Sequence, residues 1–357
     1  MRDYVAGVGC MPLLDAGPPL YTRLPGTTMA FYLVCSPTHN MLRRILYSLV
    51  LLSLTNAAPA FGQQPARPQL NSAEVEELIR RAGLSISEYE AKFKDLTADE
   101  DQKEEEYDGE GKLKQRRRIV SELVVYQSQL DTSQTAEYRY VREVDGVAVS
   151  KREEKLVNLF KRLAKADSVK KELDRISRES QKYNHRFSMY GWTLNQGQLL
   201  HESVRPSFQF ADAGRERVNG REVIVLQYQQ VEQNPRVTTK FVSLPSALKG
   251  AEPFYRGRLW LDAETAQLWR EERELTLRLS SLSRPLVIWR FEFEYVGSSF
   301  GILTPRRIVW SIYDRGRTGA DKLPELLLGG KVTFEYSSFR RFNVGSPDAT
   351  LDPPAKP

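Results

Sequence analysis

The residues with the clearest potential for chemistry form a G-x-S-x-G string, Gly297 to Gly301, with Ser299 at its centre. In hydrolases that use this motif, the serine lies on a sharp turn between a strand and a helix. Here the residues after Gly301 are typical of a β-strand, which predicts a hairpin turn instead. His185 and His201 have no spaced partner that would make them a base or a metal ligand. We therefore expect no catalytic residues, and a hydrolase is the least favoured function.

Carboxylates offer no better catalytic site. The segment Arg270 to Glu274 holds three of them, but its arginines alternate with them as on the solvated face of a twisted strand. The sequence contains no H-E-x-x-H motif and no phosphate-binding glycine loop. Its two cysteines, Cys10 and Cys35, precede the region that we expect to fold. We predict a protein without a metal ion, a cofactor or a disulfide framework.

The charge balance gives no indication of nucleic-acid binding. The formal net charge of +6 results from 52 basic and 46 acidic residues, which is a mixed composition. The densest basic run, Lys112 to Arg118, follows the acidic segment Asp99 to Tyr107 across a turn signal. A hairpin would place the two runs side by side, with Asp101 opposite Arg118, and would neutralise both. We predict this hairpin and no nucleic-acid partner.

A series of five strands from Phe254 to Val344 organises the chain. In Leu286 to Val296, aromatic and aliphatic residues alternate with charged ones, so one face of the strand is apolar and the other is wet. Such alternation is typical of antiparallel sheets. The aromatic residues need a cover, which is a second sheet in a sandwich, or helices and a ligand in a half barrel. The candidate ligand-binding residues are Trp260, Trp269, Trp289, Phe291, Phe293, Tyr295, Trp310, Phe334 and Tyr336.

Two helical regions are predicted beside the strands. Asn71 and Glu74 form a capping-box pattern that starts a helix, Gly83 ends it, and a second helical stretch starts at Ser87. A longer amphipathic helix spans Ser150 to Ser180. It packs on the sheet in the favoured interpretation, and the alternatives are a lid over a cavity or a membrane-surface helix. The candidate lid residues are Leu156, Phe160 and Leu163.

The ends of the chain carry an export signal and a tail. Met41 to Ala60 has the basic start, the short apolar stretch and the small terminal residues of a secretory signal peptide. Its apolar stretch is too short to span a membrane, and we predict cleavage near Ala60 and a periplasmic or secreted protein. The remaining divisions are an over-extended start or leader (1–40), a linker (61–70), a single domain (71–344) and a disordered tail (345–357).

One hairpin resembles a known group of exported proteins. Residues Gly257 to Arg270 follow the pattern G-R-L-W-L-D-x-E-T-x-x-x-x-R, and Phe300 to Arg307 resembles the next hairpin of that group. The pattern is similar to that of outer-membrane lipoprotein-sorting proteins, the periplasmic lipoprotein-carrier-like superfamily. The resemblance implies an α+β, mainly β fold: a curved antiparallel sheet, or unclosed half barrel, with helices covering its concave face. It also implies acyl chains or other lipids as ligands in that concavity.

These observations lead to a principal hypothesis and one main alternative. The first is an exported, non-enzymatic protein that binds a lipid or a lipidated protein in an apolar concavity. The second is an interaction or scaffold module of the cell envelope, with a filled core and protein partners. We predict no membrane span in the mature chain under either hypothesis.

Overall fold

The computed structural model describes residues 69–127, 135–149, 193–237, 251–278, 284–315 and 326–341, with Lys171, Arg175, Arg178, Lys182 and Tyr183. Several predictions lie outside these residues. They are the signal peptide, the leader, most of the linker, the tail, His185, nearly all of the Ser150 to Ser180 helix, and the lid residues Leu156, Phe160 and Leu163.

One long helix, α1 (Ser72–Lys92), opens the described chain. Its predicted start is confirmed. Asn71 Oδ1 accepts hydrogen bonds from the backbone N–H groups of Ala73 and Glu74, and the Glu74 carboxylate accepts one from the Asn71 N–H at 2.8 Å. The predicted end at Gly83 is wrong. Gly83 lies inside the helix, where a Cβ atom would come 2.9 Å from the Leu200 carbonyl oxygen. The glycine therefore allows a close approach of two backbones and does not stop the helix.

Within the described residues, eleven strands form one antiparallel sheet that is curved and unclosed. The predicted mainly β class is confirmed. The sheet order is β4-β3-β2-β1-β11-β10-β9-β8-β7-β6-β5, so each strand except β1 and β11 pairs only with sequence neighbours. The strands are β1 Leu96–Tyr107, β2 Leu113–Gln127, β3 Thr135–Val144, β4 Val147–Ala148, β5 Phe208–Val218, β6 Arg221–Gln230, β7 Glu252–Asp262, β8 Leu268–Arg278, β9 Leu286–Gly297, β10 Leu303–Arg315 and β11 Leu326–Arg341.

The predicted charged hairpin is formed by β1 and β2. Arg118 donates to Asp101 through Nε at 3.0 Å and Nη2 at 2.7 Å. The register places Lys103, not Asp101, opposite Arg118, so this ion pair is diagonal and the predicted register is wrong by two residues. Arg116 pairs with Glu105 at 2.7 Å in the same hairpin. The basic run is thus neutralised by its neighbouring strand.

Helix α1 and one face of the sheet share a hydrophobic core. The helix contributes Val75, Leu78, Ile79, Ala82, Ile86 and Tyr89 to the same cluster as β7 and β9. Burial raises the pKa of Tyr89 well above its ordinary value, with further contributions from nearby Tyr295 and Glu137. Tyr295 of β9 therefore lies close to the helix. In the described part of the chain, no helix has both the length and the apolar character that a membrane span requires.

Candidate ligand-binding face

The strand registers define which residues share the face on which α1 lies, here called the inner face. Residues paired across an antiparallel sheet point to the same side. One row of pairs runs through Glu104, Val332, Trp310, Phe291, Arg273, Gly257 and Tyr228. The next row runs through Gln102, Phe334, Ile308, Phe293, Glu271, Leu259 and Leu226.

Aromatic rings occupy the centre of the inner face. Trp310 stacks on Phe291 with ring centroids 5.8 Å apart, and Trp289 meets Trp310 edge-on at 5.6 Å. Phe291 also stacks on Phe293 at 6.2 Å. Phe293 is fully buried, whereas Trp289 is partly exposed. The cluster is therefore a continuous apolar surface that comes closest to solvent at Trp289.

A buried arginine pair lies on one side of these rings, on β8. Arg273 Nε donates to Glu271 Oε1 at 2.7 Å, and the two side chains are 10% and 0% exposed. Tyr228 donates to the same oxygen at 3.3 Å and to the Glu272 carbonyl at 3.2 Å. Burial lowers the pKa of Arg273, but the nearby Glu271 charge raises it by more, so the net pKa lies above its ordinary value. The guanidinium stays protonated inside the sheet.

A second buried arginine lies on the other side of the rings, on β3. Arg139 Nε donates to both oxygens of Glu100 at 2.9 and 3.0 Å, and Nη2 donates to Glu137 at 3.3 Å. Ser121 donates to Glu100 at 2.8 Å, and the Thr193 N–H donates to Glu137 at 2.9 Å. Every buried polar atom of Arg139, Glu100 and Glu137 has a hydrogen-bond partner. This network also holds the chain near Thr193 against the sheet.

Both arginines contact the aromatic surface in the same way. The Arg139 guanidinium lies 5.5 Å from the centre of the Phe334 ring, and that of Arg273 lies 5.4 Å from the centre of the Phe293 ring. A cation over an aromatic face is attracted to it, most strongly where water is excluded. The inner face is thus an aromatic surface bounded on each side by a charged group.

Most of the predicted site residues are brought together. Trp289, Phe291, Phe293, Trp310 and Phe334 share the inner face, and Tyr295 and Tyr336 continue it toward α1 by strand alternation. Trp260 is an exception. Its paired residues are Val225 and Arg270, which place it on the opposite, outer face of the sheet, contrary to the prediction.

Trp260 is held on the outer face by charged groups. The guanidinium groups of Arg258 and Arg270 lie 5.1 and 4.6 Å from its ring, and its Nε1 donates to Glu216 at 2.8 Å. Trp269 occupies a bulge where the β7–β8 register shifts, with Arg221 5.5 Å from its ring. Two tryptophans of the hairpin motif thus serve packing and cation contacts.

Other motif residues also have structural roles. Asp262 accepts from the backbone of Glu264 and Thr265 at 3.0 and 2.8 Å, which closes the β7–β8 turn. Burial raises the pKa of Asp262, but these hydrogen bonds and Arg221 lower it more, so the net pKa is below its ordinary value. At Gly257, a Cβ would lie 1.9 Å from the Glu272 carbonyl oxygen and 2.7 Å from the Tyr228 hydroxyl.

The buried charges were missed by sequence reasoning. The prediction that the glutamates of Arg270 to Glu274 share a solvated face is wrong for Glu271, which is fully buried. A signal was present in β1, where Glu100 and Glu104 have the same strand parity as the buried Leu96 and Ala98. The position of these residues in the strand predicts the face on which they lie, whereas their polarity alone predicted the wrong face.

The G-x-S-x-G string lies in a hairpin turn, as predicted. Ser299 is exposed in the hairpin turn between β9 and β10, where Ser298 Oγ donates to the Ile302 carbonyl at 2.6 Å. His201 Nδ1 lies 2.9 Å from Ser203 Oγ, two residues along the same loop. Among the described residues, no three His, Cys, Asp or Glu side chains are grouped as metal ligands.

A small pocket is lined by described residues. Its volume is about 10 Å³, enough for roughly one water molecule. It lies between α1 and the starts of β8 and β10, and none of the rings of Trp289, Phe291, Phe293 and Trp310 lines it. Its lining residues are Ser85, Glu88, Tyr89, Gln196, Gln267, Leu268, Ile302 and Leu303.

Comparison with known proteins gives structural neighbours but no sequence relative. No protein-family model and no curated protein matches the chain. Among solved structures, it is similar to a DUF1329 family protein from Desulfovibrio piger, with 12% identity, TM-score 0.30, and 77% of this chain and 95% of that one covered. A putative outer membrane lipoprotein-sorting protein domain from Vibrio parahaemolyticus has 12% identity and TM-score 0.29 over 75% of this chain and 95% of its own.

A third neighbour is a LolA superfamily protein from Nitrosomonas europaea, with 10% identity and TM-score 0.28 over 74% of this chain and 95% of its own. The solved structures that the chain is similar to therefore include members of the lipoprotein-sorting group that the hairpin motif resembles. At these identities and TM-scores, the likeness assigns no ligand or activity to this chain.

Proposed function

We propose that this is an exported, non-enzymatic protein that binds a hydrophobic ligand, such as a lipid or the acyl chain of a lipidated protein, on its inner face. Helices would cover that face, with α1 at one end and the predicted Ser150 to Ser180 helix as the lid. The observation that carries the proposal is the continuous aromatic surface of Trp289, Phe291 and Trp310. Apolar surface removed from water contributes about 25 cal/mol per Å², so a buried acyl chain of ~300 Å² gains several kcal/mol.

Native mass spectrometry tests the proposal directly. The full chain is expressed in a two-membrane bacterium and purified from the periplasm without detergent. We expect a discrete additional mass that matches a lipid and disappears on organic extraction. A bare polypeptide mass, together with no uptake of a fluorescent fatty acid by the purified protein, would contradict ligand binding.

A matched pair of variants locates the ligand. Trp289→Ala removes the partly exposed ring of the aromatic surface, and we expect it to weaken uptake of a fluorescent fatty acid by about tenfold. Leu84→Ala changes an apolar side chain that is 61% exposed on α1 and leaves uptake unchanged. Equal uptake by both variants would place the ligand elsewhere.

A second candidate function is an envelope interaction module with a filled core. It is favoured by the deep burial of the aromatic residues, since Phe291, Phe293 and Phe334 are exposed by only 2%, 0% and 0%. In that case the inner face is core, and the charged outer face contacts protein partners. The bare mass described above, with a crosslinked envelope protein, would support this alternative.

A further inference from the structure

Two polar atoms beside the aromatic rings of the inner face are left without a hydrogen bond. Arg273 Nη2 and Glu271 Oε2 are both buried, and neither has a partner. Their side chains are 10% and 0% exposed. Buried polar groups in folded proteins almost always have partners, so each exception calls for an explanation.

The facing atoms of this pair, Glu271 Oε1 and Arg273 Nε, are already occupied. Glu271 Oε1 accepts from Arg273 Nε at 2.7 Å and from the Tyr228 hydroxyl at 3.3 Å. Tyr228 reaches this oxygen across Gly257, which has no side chain to block it. The atoms that are buried without a partner are one donor nitrogen, Nη2, and one acceptor oxygen, Oε2, on neighbouring side chains.

The charges restrict what this donor and acceptor bind together. Arg273 and Glu271 neutralise each other, so the pair has no net charge to attract an ion. A carboxylate anion offers only acceptors and would be repelled by Glu271 Oε2. An ammonium ion offers only donors and would be repelled by Arg273. A neutral group with both an acceptor and a donor, such as an amide, satisfies both atoms.

The surroundings indicate that the rest of the ligand is apolar. Phe291 is the pairing partner of Arg273 on β9, and Phe293 is that of Glu271. The partly exposed Tyr255 and Trp289 lie one row of pairs away from Arg273, on the same face. A ligand whose acyl chain lies along these rings would thus place its polar head group beside the pair.

Building on the proposed function, we propose that the Arg273–Glu271 pair recognises a neutral donor–acceptor head group, and that the ligand is an acyl amide rather than a free fatty acid. The amide carbonyl accepts from Arg273 Nη2, and the amide N–H donates to Glu271 Oε2. No bond forms or breaks in this recognition.

The test compares three ligands with the same eighteen-carbon chain: oleamide, methyl oleate and oleate. Each displaces a fluorescent acyl probe from the wild-type protein and from the double variant Glu271→Leu/Arg273→Leu. We expect the wild type to bind the amide at least about tenfold more tightly than the ester or the acid. In the double variant, amide and ester should bind within about twofold of each other.

A second double variant serves as the matched control. Arg258→Gln/Glu272→Gln removes an ion pair from the outer face of β7 and β8, where the side chains are 49% and 23% exposed. It should keep the amide preference of the wild type. A ¹³C-labelled amide carbonyl, followed by infrared spectroscopy, should shift to lower frequency on binding to the wild type because it accepts a charge-assisted hydrogen bond.

The outcomes separate this inference from the proposed function. Equal binding of amide and ester by the wild type overturns the inference, and is the result expected if a trapped water molecule satisfies the pair. An amide preference that persists in the double leucine variant also overturns it. Both results leave lipid binding intact, whereas failure of all three ligands to bind overturns the proposed function and the inference with it.

Discussion

Two buried arginines, Arg139 and Arg273, flank the same aromatic surface, yet their hydrogen bonds are completed differently. Arg139 shares two carboxylates with Ser121 and Thr193, and the cluster is closed. Arg273 has one carboxylate, and each of the two groups keeps an atom without a partner. A closed buried network makes one structure specific, whereas an open one can take part in binding.

The largest expected effect comes from breaking the closed cluster. Arg139→Met leaves Glu100 and Glu137 buried without their cation, and we expect a loss of about 3–5 kcal/mol in the free energy of unfolding, measured with urea. Arg118→Met is the control, because it removes an exposed ion pair with Asp101 and should cost about 1 kcal/mol or less. Similar losses in the two variants would show that the buried network is not stabilising.

The open cluster, Arg273 and Glu271 with Tyr228, depends on Gly257, across which Tyr228 reaches Glu271. Gly257→Ala places a Cβ against the Glu272 carbonyl, so β7 or β8 must shift, and we expect a loss of about 1–3 kcal/mol. Gly297→Ala is the matched control, because nothing lies within 4 Å of its added Cβ. Urea unfolding of both variants measures the two losses. Equal stability would mean that Gly257 does not approach the Glu272 carbonyl closely in solution.

A smaller, pH-dependent effect is expected next to the open cluster but on the outer face. Burial raises the pKa of Glu274, while hydrogen bonds from Arg290 and Arg256 lower it more, so its net pKa is below the ordinary value. A lowered carboxyl pKa stabilises the protein above the pKa of the unfolded chain, and this contribution is lost as pH falls through the folded pKa. Glu274→Gln should therefore cost about 1 kcal/mol at pH 7, since both arginines are partly exposed.

Unfolding curves at neutral and acidic pH test this sign. The difference in unfolding free energy between the wild type and Glu274→Gln should shrink as the pH falls, because protonated Glu274 is uncharged, like glutamine. A difference that grows toward acidic pH would contradict the pKa direction. Added salt should also reduce it, since both arginine partners are exposed to screening.

The smallest change in stability is expected when the whole open pair is replaced. Glu271→Leu/Arg273→Leu removes both charges and their two unpartnered atoms, so we expect the free energy of unfolding to change by less than about 1 kcal/mol. Arg273→Leu alone should cost several kcal/mol, because Glu271 is then buried without a cation. If both variants lose the same stability, the pair contributes to the fold as the closed cluster does.

Much of the fold could be predicted from local patterns. The alternation in Leu286 to Val296 predicted β9 and its apolar face, and Asn71 with Glu74 predicted the start of α1. These predictions succeeded because alternation and capping depend on residues only a few positions apart. The end of α1 was predicted wrongly because Gly83 is needed for the close approach of the Leu200 carbonyl, and these two residues lie far apart in the chain.

The candidate site could be predicted only in part, for the same reason. Aromatic residues at alternate positions of β9 pointed to an apolar surface. The sequence pattern did not assign Trp260 to the outer face, since its position depends on the pairing of β7 with β6 and β8. Nor did it reveal Arg139 beside Glu100, because these residues lie on β3 and β1 and meet across β2.

By itself, the sequence determined the strands, their two-faced character and the absence of a recognisable catalytic motif, because these depend on residue type and short-range spacing. The tertiary structure alone decided which charges are buried and which hydrogen bonds are completed. Glu271 and Glu272 are neighbours of the same type, yet one is enclosed under Tyr228 and the other pairs with Arg258 at the surface. The difference arises because successive residues of a strand point to opposite faces, and along this part of β8 only the inner face is enclosed.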